Sequence, residues 1–298
     1  MNWQGVVPAI TTPFRRDFSV DADLLVKQVD ALVRAGCRGV VALGSLGEGG
    51  SLAFDEKKAV LRLCREALAG RASLVAGVAA LTTADAVRLA ELGADTGCDG
   101  LMVLPPYVYR GDWRETRAHF EAVVAATPLP CMLYNNPVAY GTDVLPEQVL
   151  DLAATLSNLA AVKESSADVR RVTSLRALLG DRLAILVGVD DLVLEGVQAG
   201  AVGWVAGLAD ALPAESVRLF DLAAAGRIEE ARTLYDWFLP LLRLDTVPKF
   251  VQLIKLVQQE TGLGSEVVRP PRLPLASPER EAVVELVRYA LARRPALG

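Results

Sequence analysis

The sequence predicts an α/β fold, a (β/α)8 TIM barrel with a C-terminal helical extension, and three observations support this prediction. Eight short apolar runs alternate with amphipathic stretches along the first two thirds of the 298-residue chain. The starts of these runs are 19 to 34 residues apart, which is a spacing typical of strand–helix units. After the eighth run, only helical patterns remain. Because strands that alternate with helices form a parallel sheet, eight such units are expected to close into a barrel.

The predicted strands share a length of four or five residues and a mostly apolar character. They are Val6–Ala9, Gly39–Leu43, Ser73–Gly77, Gly100–Leu104, Pro130–Tyr134, Leu159–Lys163, Ala184–Val187 and Gly203–Ala206. An open, doubly wound sheet is the rival arrangement. Since no Gly-x-Gly-x-x-Gly sequence follows the first strand, the barrel is the preferred prediction.

Capping residues and glycines mark the helices between the strands. Predicted helices begin at Asp21, Phe54, Thr82 and Asp168 and end at Ala35, Ala69, just before Gly93 and at Leu179. In the last quarter of the chain, Ile228–Leu244, Pro248–Thr261 and Ser277–Arg294 have helical patterns. We therefore expect a catalytic barrel over residues 1–226 and a helical extension over residues 227–298.

Composition excludes several classes of protein. The chain is 52% hydrophobic, and its 31 basic and 36 acidic residues are spread without long runs, which argues against a nucleic-acid partner. No apolar run approaches the roughly 18 residues of a membrane span. The four cysteines lie singly in apolar segments, as in reduced cytoplasmic proteins. With His119 as the only histidine, neither a histidine-rich metal site nor a Ser-His-Asp triad is expected, and we predict no metal.

The sixth predicted strand ends on a lysine, and lysine is rare in this chain. Only six of the 31 basic residues are lysines. A desolvated lysine can lose its proton and form an imine, whereas arginine stays protonated. Counting by two, Leu159, Ala161 and Lys163 share one face, and the small Ala161 leaves room for the lysine stem. The alternative is a strand-end lysine that reaches into solvent.

The fifth predicted strand ends in Tyr134-Asn-Asn-Pro137. Alternation directs Met132 and Tyr134 inward and Cys131 and Leu133 outward. Because the fifth and sixth strands are neighbours in a barrel, Tyr134 and Lys163 are expected in one pocket, where a phenol can carry protons. The alternative is a packed tyrosine whose hydroxyl is already hydrogen-bonded.

Glycines and hydroxyl groups follow the other strands, at the barrel end that carries the chemistry in TIM barrels. The second strand continues as Gly44-Ser45-Leu46-Gly47-Glu48, and the fourth ends in Leu104-Pro-Pro-Tyr107. Glycines let backbone N–H groups approach a ligand. The first loop could also be a plain turn, and Gly188 and Gly207 could admit a ligand carboxylate or a phosphate. Together these residues suit imine chemistry on a 2-oxo acid.

These motifs resemble the N-acetylneuraminate lyase / dihydrodipicolinate synthase family of Schiff-base-forming barrel enzymes. The resemblance covers the whole chain through Gly5–Phe14, Gly44–Glu48, Leu104–Tyr107, Tyr134–Pro137, Val162–Ser165 and Gly203–Gly207. It implies a covalent imine on Lys163 with no other cofactor and Tyr134 as the proton carrier. It also implies that Ser45 and nearby N–H groups hold the substrate carboxylate, that Val205 lines the floor, that Tyr107 acts across a subunit boundary, and that the protein is a homotetramer.

Two departures from the family pattern bear on the substrate. Leu46 stands where the family commonly has a second hydroxyl residue. Ala139, followed by Tyr140, stands where dihydrodipicolinate synthases carry an arginine for the carboxylate of the aldehyde substrate, so lysine biosynthesis is disfavoured. The motifs look most like the branch of Δ1-pyrroline-4-hydroxy-2-carboxylate deaminases, which form 2,5-dioxopentanoate and ammonia in hydroxyproline catabolism. In that branch Asn136 and Tyr140 are the candidates to face the C4 hydroxyl.

Three alternatives remain open at this point. A pyruvate-releasing aldolase or lyase would use the same lysine, as would a condensing enzyme like dihydrodipicolinate synthase. A non-catalytic barrel that senses a small molecule is the alternative of another class.

Overall fold

The structure, a computed structural model, describes residues 1–296. Its eight strands form a parallel barrel. The strands are β1 (Gly5–Val6), β2 (Gly39–Ala42), β3 (Ser73–Val78), β4 (Gly100–Val103), β5 (Cys131–Asn135), β6 (Leu159–Glu164), β7 (Ala184–Val187) and β8 (Gly203–Trp204). Each strand pairs with its sequence neighbour, and β1 pairs with β8. Val41 of β2 donates its N–H to the carbonyl of Pro8 (2.7 Å), just past β1, so the barrel closes. The predicted fold class is confirmed.

Helices surround the barrel and form the extension. Around the strands lie α1 (Ala22–Arg34), α2 (Phe54–Leu68), α3 (Thr83–Asp95), α4 (Trp113–Ala125), α5 (Pro137–Tyr140), α6 (Pro146–Thr155), α7 (Arg170–Leu179), α8 (Val193–Gln198) and α9 (Pro213–Ala224). The extension holds α10 (Ile228–Leu242), α11 (Phe250–Thr261) and α12 (Ser277–Ala292). Within residues 1–296, no helix combines the length and the apolar character that crossing a membrane requires.

The helix α3 shows where the predicted boundaries were right and where they were wrong. It begins as predicted, because the Thr82 hydroxyl accepts a hydrogen bond from the N–H of Asp85 (3.1 Å). The predicted end before Gly93 was wrong, since the helix continues to Asp95. A Cβ atom at Gly93 would lie 2.5 Å from Leu101 Cδ2, so this glycine allows close packing on β4. The chain turns at Gly97, where φ is +74°.

Side chains of β5 and β6 alternate between the barrel interior and the outer layer. Met132 and Tyr134 lie in the interior, and Leu133 packs with the helices, as predicted. The prediction that Leu159 shares a face with Lys163 was wrong, because Leu159 packs in the outer layer. Cys131 pairs with Leu159 but Met132 pairs with Ala161, so a β-bulge inserts one extra residue and changes the phase.

The extension packs against the loop that follows β2. Lys255 of α11 donates to Glu48 Oε1 (2.6 Å), and both side chains are wholly buried. The backbone N–H of Arg269, beyond α11, donates to Glu48 Oε2 (3.1 Å). The loop Gly44–Glu48 therefore depends for its position on residues of the extension.

Candidate active site

Lys163 and Tyr134 face each other in the barrel interior. They are paired residues of the adjacent strands β6 and β5. The Lys163 Nζ atom lies 4.1 Å from the centre of the Tyr134 ring. Lys163 is 6% and Tyr134 5% exposed, so the lysine does not reach into solvent. The predicted pocket with both side chains is present.

Burial lowers the pKa of Lys163, because the barrel interior solvates an ammonium ion poorly. The charges of Asp245, Tyr140 and Asp190 oppose this effect, in that order of size. Glu164 faces away and accepts a hydrogen bond from the N–H of Ser166 (2.7 Å), so it forms no ion pair with Lys163. A lowered pKa increases the fraction of neutral amine, which is the form that attacks a carbonyl carbon.

The lowered pKa predicts how imine formation depends on pH. The amine is neutral above its pKa, so the rate of imine formation should rise with pH and reach its midpoint below 10.5, the ordinary value for lysine. The measurement is the initial rate at which pyruvate and borohydride form a covalent adduct, followed by mass spectrometry across the pH range. A midpoint at or above 10.5 would contradict the proposed environment of Lys163.

Gly188 makes room for the lysine. A Cβ atom at this position would lie 2.7 Å from Lys163 Cγ and would also collide with the hydroxyl of Ser165. The space beside Gly188, which the sequence suggested for a ligand carboxylate, is thus taken up by the stem of Lys163. Val205, just after β8, is buried in the same interior layer as Tyr134.

Asn136 orients the hydroxyl group of Tyr134. Its Nδ2 donates to Tyr134 Oη (2.9 Å), and its Oδ1 accepts from the N–H of Ala139 (3.0 Å) at the start of α5. Burial raises the pKa of Tyr134 to about 12, and the Asn136 hydrogen bond partly offsets this rise. The phenol is therefore protonated at neutral pH and can donate a proton.

The loop after β2 offers a hydroxyl and backbone donors. The Ser45 hydroxyl is hydrogen-bonded to the hydroxyl of Tyr140, whose pKa is raised by burial. Within residues 1–296, the N–H groups of Ser45 and Leu46 donate to no protein acceptor, which leaves them available for a carboxylate. The Leu46 side chain is 3% exposed and packs in the outer layer, so this residue can contribute only its backbone.

Three tyrosines meet at this end of the barrel. The ring of Tyr140 lies 5.8 Å from the ring of Tyr134 and 5.8 Å from that of Tyr107, measured between centroids. Tyr140 thus connects Tyr107 and Ser45 to the Lys163 pocket within one chain. Ala139 is exposed beside them and carries no charge.

Sequence reasoning missed two acidic residues near Lys163. Asp190 is fully buried and accepts hydrogen bonds from Trp204 Nε1 (2.9 Å) and the N–H of Leu208 (2.7 Å). Burial raises its pKa to about 6. Asp245 follows α10 in a short 3-10 helix, Arg243–Asp245, and its carboxyl group lies against Gly207. No sequence pattern around Asp245 predicts that it approaches the barrel.

Residues 1–296 hold no group of three or more His, Cys, Asp or Glu side chains placed to bind a metal ion. The charged and polar groups of the pocket are one amine, three phenols, one serine hydroxyl, one asparagine amide and two carboxyl groups. This set is suited to covalent chemistry on lysine with proton transfer.

Comparisons with known proteins agree with this chemistry. The sequence pattern of the dihydrodipicolinate synthetase family matches residues 2–290. A 4-hydroxy-tetrahydrodipicolinate synthase of Xanthomonas campestris pv. campestris is 34% identical over 302 residues, covering 98% of this chain and 96% of the relative. The enzyme of that name from Chlorobium phaeovibrioides is 31% identical over 277 residues, covering 93% and 94%.

Solved structures give the same result. The 4-hydroxy-tetrahydrodipicolinate synthase of Methylacidiphilum fumariolicum superposes with a TM-score of 0.92 at 29% identity, covering 97% of each chain. A prophage protein of E. coli K12, which belongs to the dihydrodipicolinic acid synthase family and was solved with pyruvate, has a TM-score of 0.92 at 26% identity, covering 98% and 99%. These names support the family inferred from the sequence and lend no support to its deaminase branch.

Proposed function

Because this chain belongs to the dihydrodipicolinate synthetase family, whose members are class I enzymes that form a lysine imine, we propose that Lys163 forms an imine with a small 2-oxo acid or its cyclic imine. The observation that carries this proposal is the buried Lys163 amine, 4.1 Å from the ring of Tyr134. A protonated imine withdraws electrons from the neighbouring carbon, and a phenol at this distance can exchange protons there.

We propose Δ1-pyrroline-4-hydroxy-2-carboxylate as the substrate. It carries a single carboxylate, which the free N–H groups of Ser45 and Leu46 can bind together with the Ser45 hydroxyl. Ala139 is uncharged, so this position of α5 offers no cation that could bind a second carboxylate. A substrate with one carboxylate and one hydroxyl therefore matches the polar groups of the pocket.

The reaction can be written from these residues. The Lys163 amine attacks the ring C2 atom, and the C2–N ring bond breaks, which leaves an imine to Lys163 and a free amine on C5. Tyr134 takes the C3 proton while it passes its own phenol proton to the free C5 amine, and the enamine forms. The C4 hydroxyl leaves as water, proton shifts move the double bond to the C5 amine, and hydrolysis of both imines yields 2,5-dioxopentanoate and ammonia. In total one water is consumed and one ammonia is released.

A second candidate is the condensation of pyruvate with an aldehyde that carries its own carboxylate. The names of the relatives favour this reaction. In addition, the guanidinium of Arg110 lies over Gly141, two residues after Ala139, since a Cβ atom there would be 2.8 Å from Arg110 Nε. In this second candidate, Arg110 would bind the second carboxylate in place of the missing arginine.

Product analysis distinguishes the candidates. The protein is incubated separately with Δ1-pyrroline-4-hydroxy-2-carboxylate, with a longer 2-oxo acid, and with pyruvate plus aspartate semialdehyde, and products are identified by NMR and an ammonia assay. Ammonia with 2,5-dioxopentanoate is the expected result. Pyruvate release from a longer 2-oxo acid, or consumption of pyruvate with the semialdehyde alone, would replace the deaminase proposal with the aldolase or the condensing enzyme. Ligand binding without turnover would indicate a sensor.

A further inference from the structure

Asp245 brings a carboxyl group from the extension to the open end of the barrel. A Cβ atom at Gly207, just after β8, would lie 2.5 Å from Asp245 Cγ and 2.8 Å from Asp245 Oδ2. Only a glycine at position 207 leaves space for this carboxyl group. Within residues 1–296, no hydrogen bond to this carboxyl group contributes to its pKa, so it is free to contact a ligand.

The ionised form of Asp245 interacts with the pocket. When Asp245 is ionised, its charge raises the pKa of Lys163 more than any other charge does, and it also raises the pKa of Tyr134. Asp190 lies on the other side of Gly207, whose N–H donates to the Asp190 carboxylate (3.1 Å). Burial and the charge of Asp190 raise the pKa of Asp245 well above its usual range, whereas the charge of Lys163 lowers it. A raised pKa favours the protonated form that a general acid requires.

We propose that Asp245 is the catalytic acid that protonates the C4 hydroxyl of the substrate as it leaves. This inference rests on the proposed deaminase function. Lys163 reacts at C2 of the substrate and Tyr134 exchanges a proton at C3. Neither role supplies a proton to the hydroxyl oxygen on C4, which is two bonds away from C3. Asp245 lies against Gly207, just after β8, and β8 is two strands away from β6, which carries Lys163.

The step balances in atoms and electrons. The lone pair of the enamine nitrogen forms N=C2, and the C2=C3 pair moves to form C3=C4. The C4–O bond breaks with its electron pair on oxygen, and this oxygen takes the proton of the Asp245 carboxyl group to leave as water. A neutral enamine and a neutral acid thus become an iminium ion and a carboxylate, which attract each other across the pocket.

The test is Asp245→Asn, which keeps the size of the side chain and removes the acid. We expect ammonia release from Δ1-pyrroline-4-hydroxy-2-carboxylate to fall by about 100-fold or more. Trapping of pyruvate on Lys163 by borohydride, and exchange of the pyruvate methyl protons in D2O, should be unchanged or faster, because neither involves a leaving hydroxyl. Asp236→Asn is the matched control, since Asp236 is an exposed aspartate on α10.

Each result has one interpretation. If Asp245→Asn loses pyruvate trapping and ammonia release together, Asp245 only supports Lys163 and the proposal is wrong. If ammonia release stays within about threefold of the unaltered protein, the proposal is also wrong, because a general acid contributes at least about 100-fold. If the unaltered protein releases no ammonia at all, the proposed deaminase function fails first, and this inference fails with it.

Discussion

Replacement of Lys163 by arginine is expected to abolish imine trapping and to lower turnover by at least about 10⁴-fold, as loss of a covalent nucleophile commonly does. Arginine keeps the positive charge and most of the length but stays protonated, so it cannot form an imine. The measurement is borohydride reduction with pyruvate, followed by peptide mapping of the adduct. In the unaltered protein the added mass should lie on the peptide that contains Lys163.

Two other lysines serve as controls for this experiment. Lys27→Arg is the control, because Lys27 is exposed on α1 and the change should leave both trapping and turnover unaltered. Lys255 is the other buried lysine of residues 1–296, and burial lowers its pKa to about 8. It is paired with Glu48, however, so its amine is not free to attack. An adduct on Lys255, or trapping that persists in Lys163→Arg, would disprove the assignment of the imine lysine.

Much of the fold could be predicted because it depends on local patterns. Each strand begins within one residue of its predicted position, since buried parallel strands are short apolar runs bounded by turn residues. Alternation along β5 correctly placed Tyr134 inside. The errors arose where tertiary packing overrides the local pattern. A bulge at the start of β6 places Leu159 in the outer layer. Gly93 allows close packing against Leu101 and does not end its helix.

The candidate site was only partly accessible from the sequence. Lys163 and Tyr134 could be paired because neighbouring strands of a barrel bring their ends together. Tyr140 was predicted to face the substrate, but its bond to Ser45 depends on the short helix α5 folding back over the pocket. Asp245 could not be found, since the position of an extension relative to a barrel is set by side-chain packing over long sequence distances.

The same extension that supplies Asp245 also holds the loop that follows β2. Glu48 ends this loop with φ at +53°, an uncommon conformation for a non-glycine residue. Its carboxylate is fully buried and accepts hydrogen bonds from Lys255 and from the N–H of Arg269. These bonds compensate both the strained backbone and the buried charge. Positioning of Ser45 therefore depends on residues more than 200 positions later in the chain.

Loss of the Lys255 amine should consequently destabilise the whole protein. Lys255→Met retains the length and apolar character of the stem but leaves Glu48 as a buried carboxylate without its nearest cation. Breaking a buried ion pair in this way costs about 3–5 kcal/mol of unfolding free energy. The measurement is urea unfolding followed by far-UV circular dichroism, and the midpoint should shift to lower urea. The pyruvate concentration that gives half-maximal trapping should rise as well, because the loop that carries Ser45 loses the contact with Lys255.

Two further variants separate the buried charge from the lost contact. Lys249→Met removes an ion pair with Glu279 on the surface of the same extension, where the lysine side chain is 53% exposed. Exposed pairs contribute about 0–1 kcal/mol, so this control should change little. The double variant Glu48→Gln with Lys255→Met removes both charges and should recover most of the lost stability, because the cost lies in the buried carboxylate that has lost its nearest cation, with only the more distant Arg272 left (3.7 Å). If the double variant is as unstable as Lys255→Met alone, the loss of unfolding free energy comes from the altered packing around Lys255 and not from the broken ion pair.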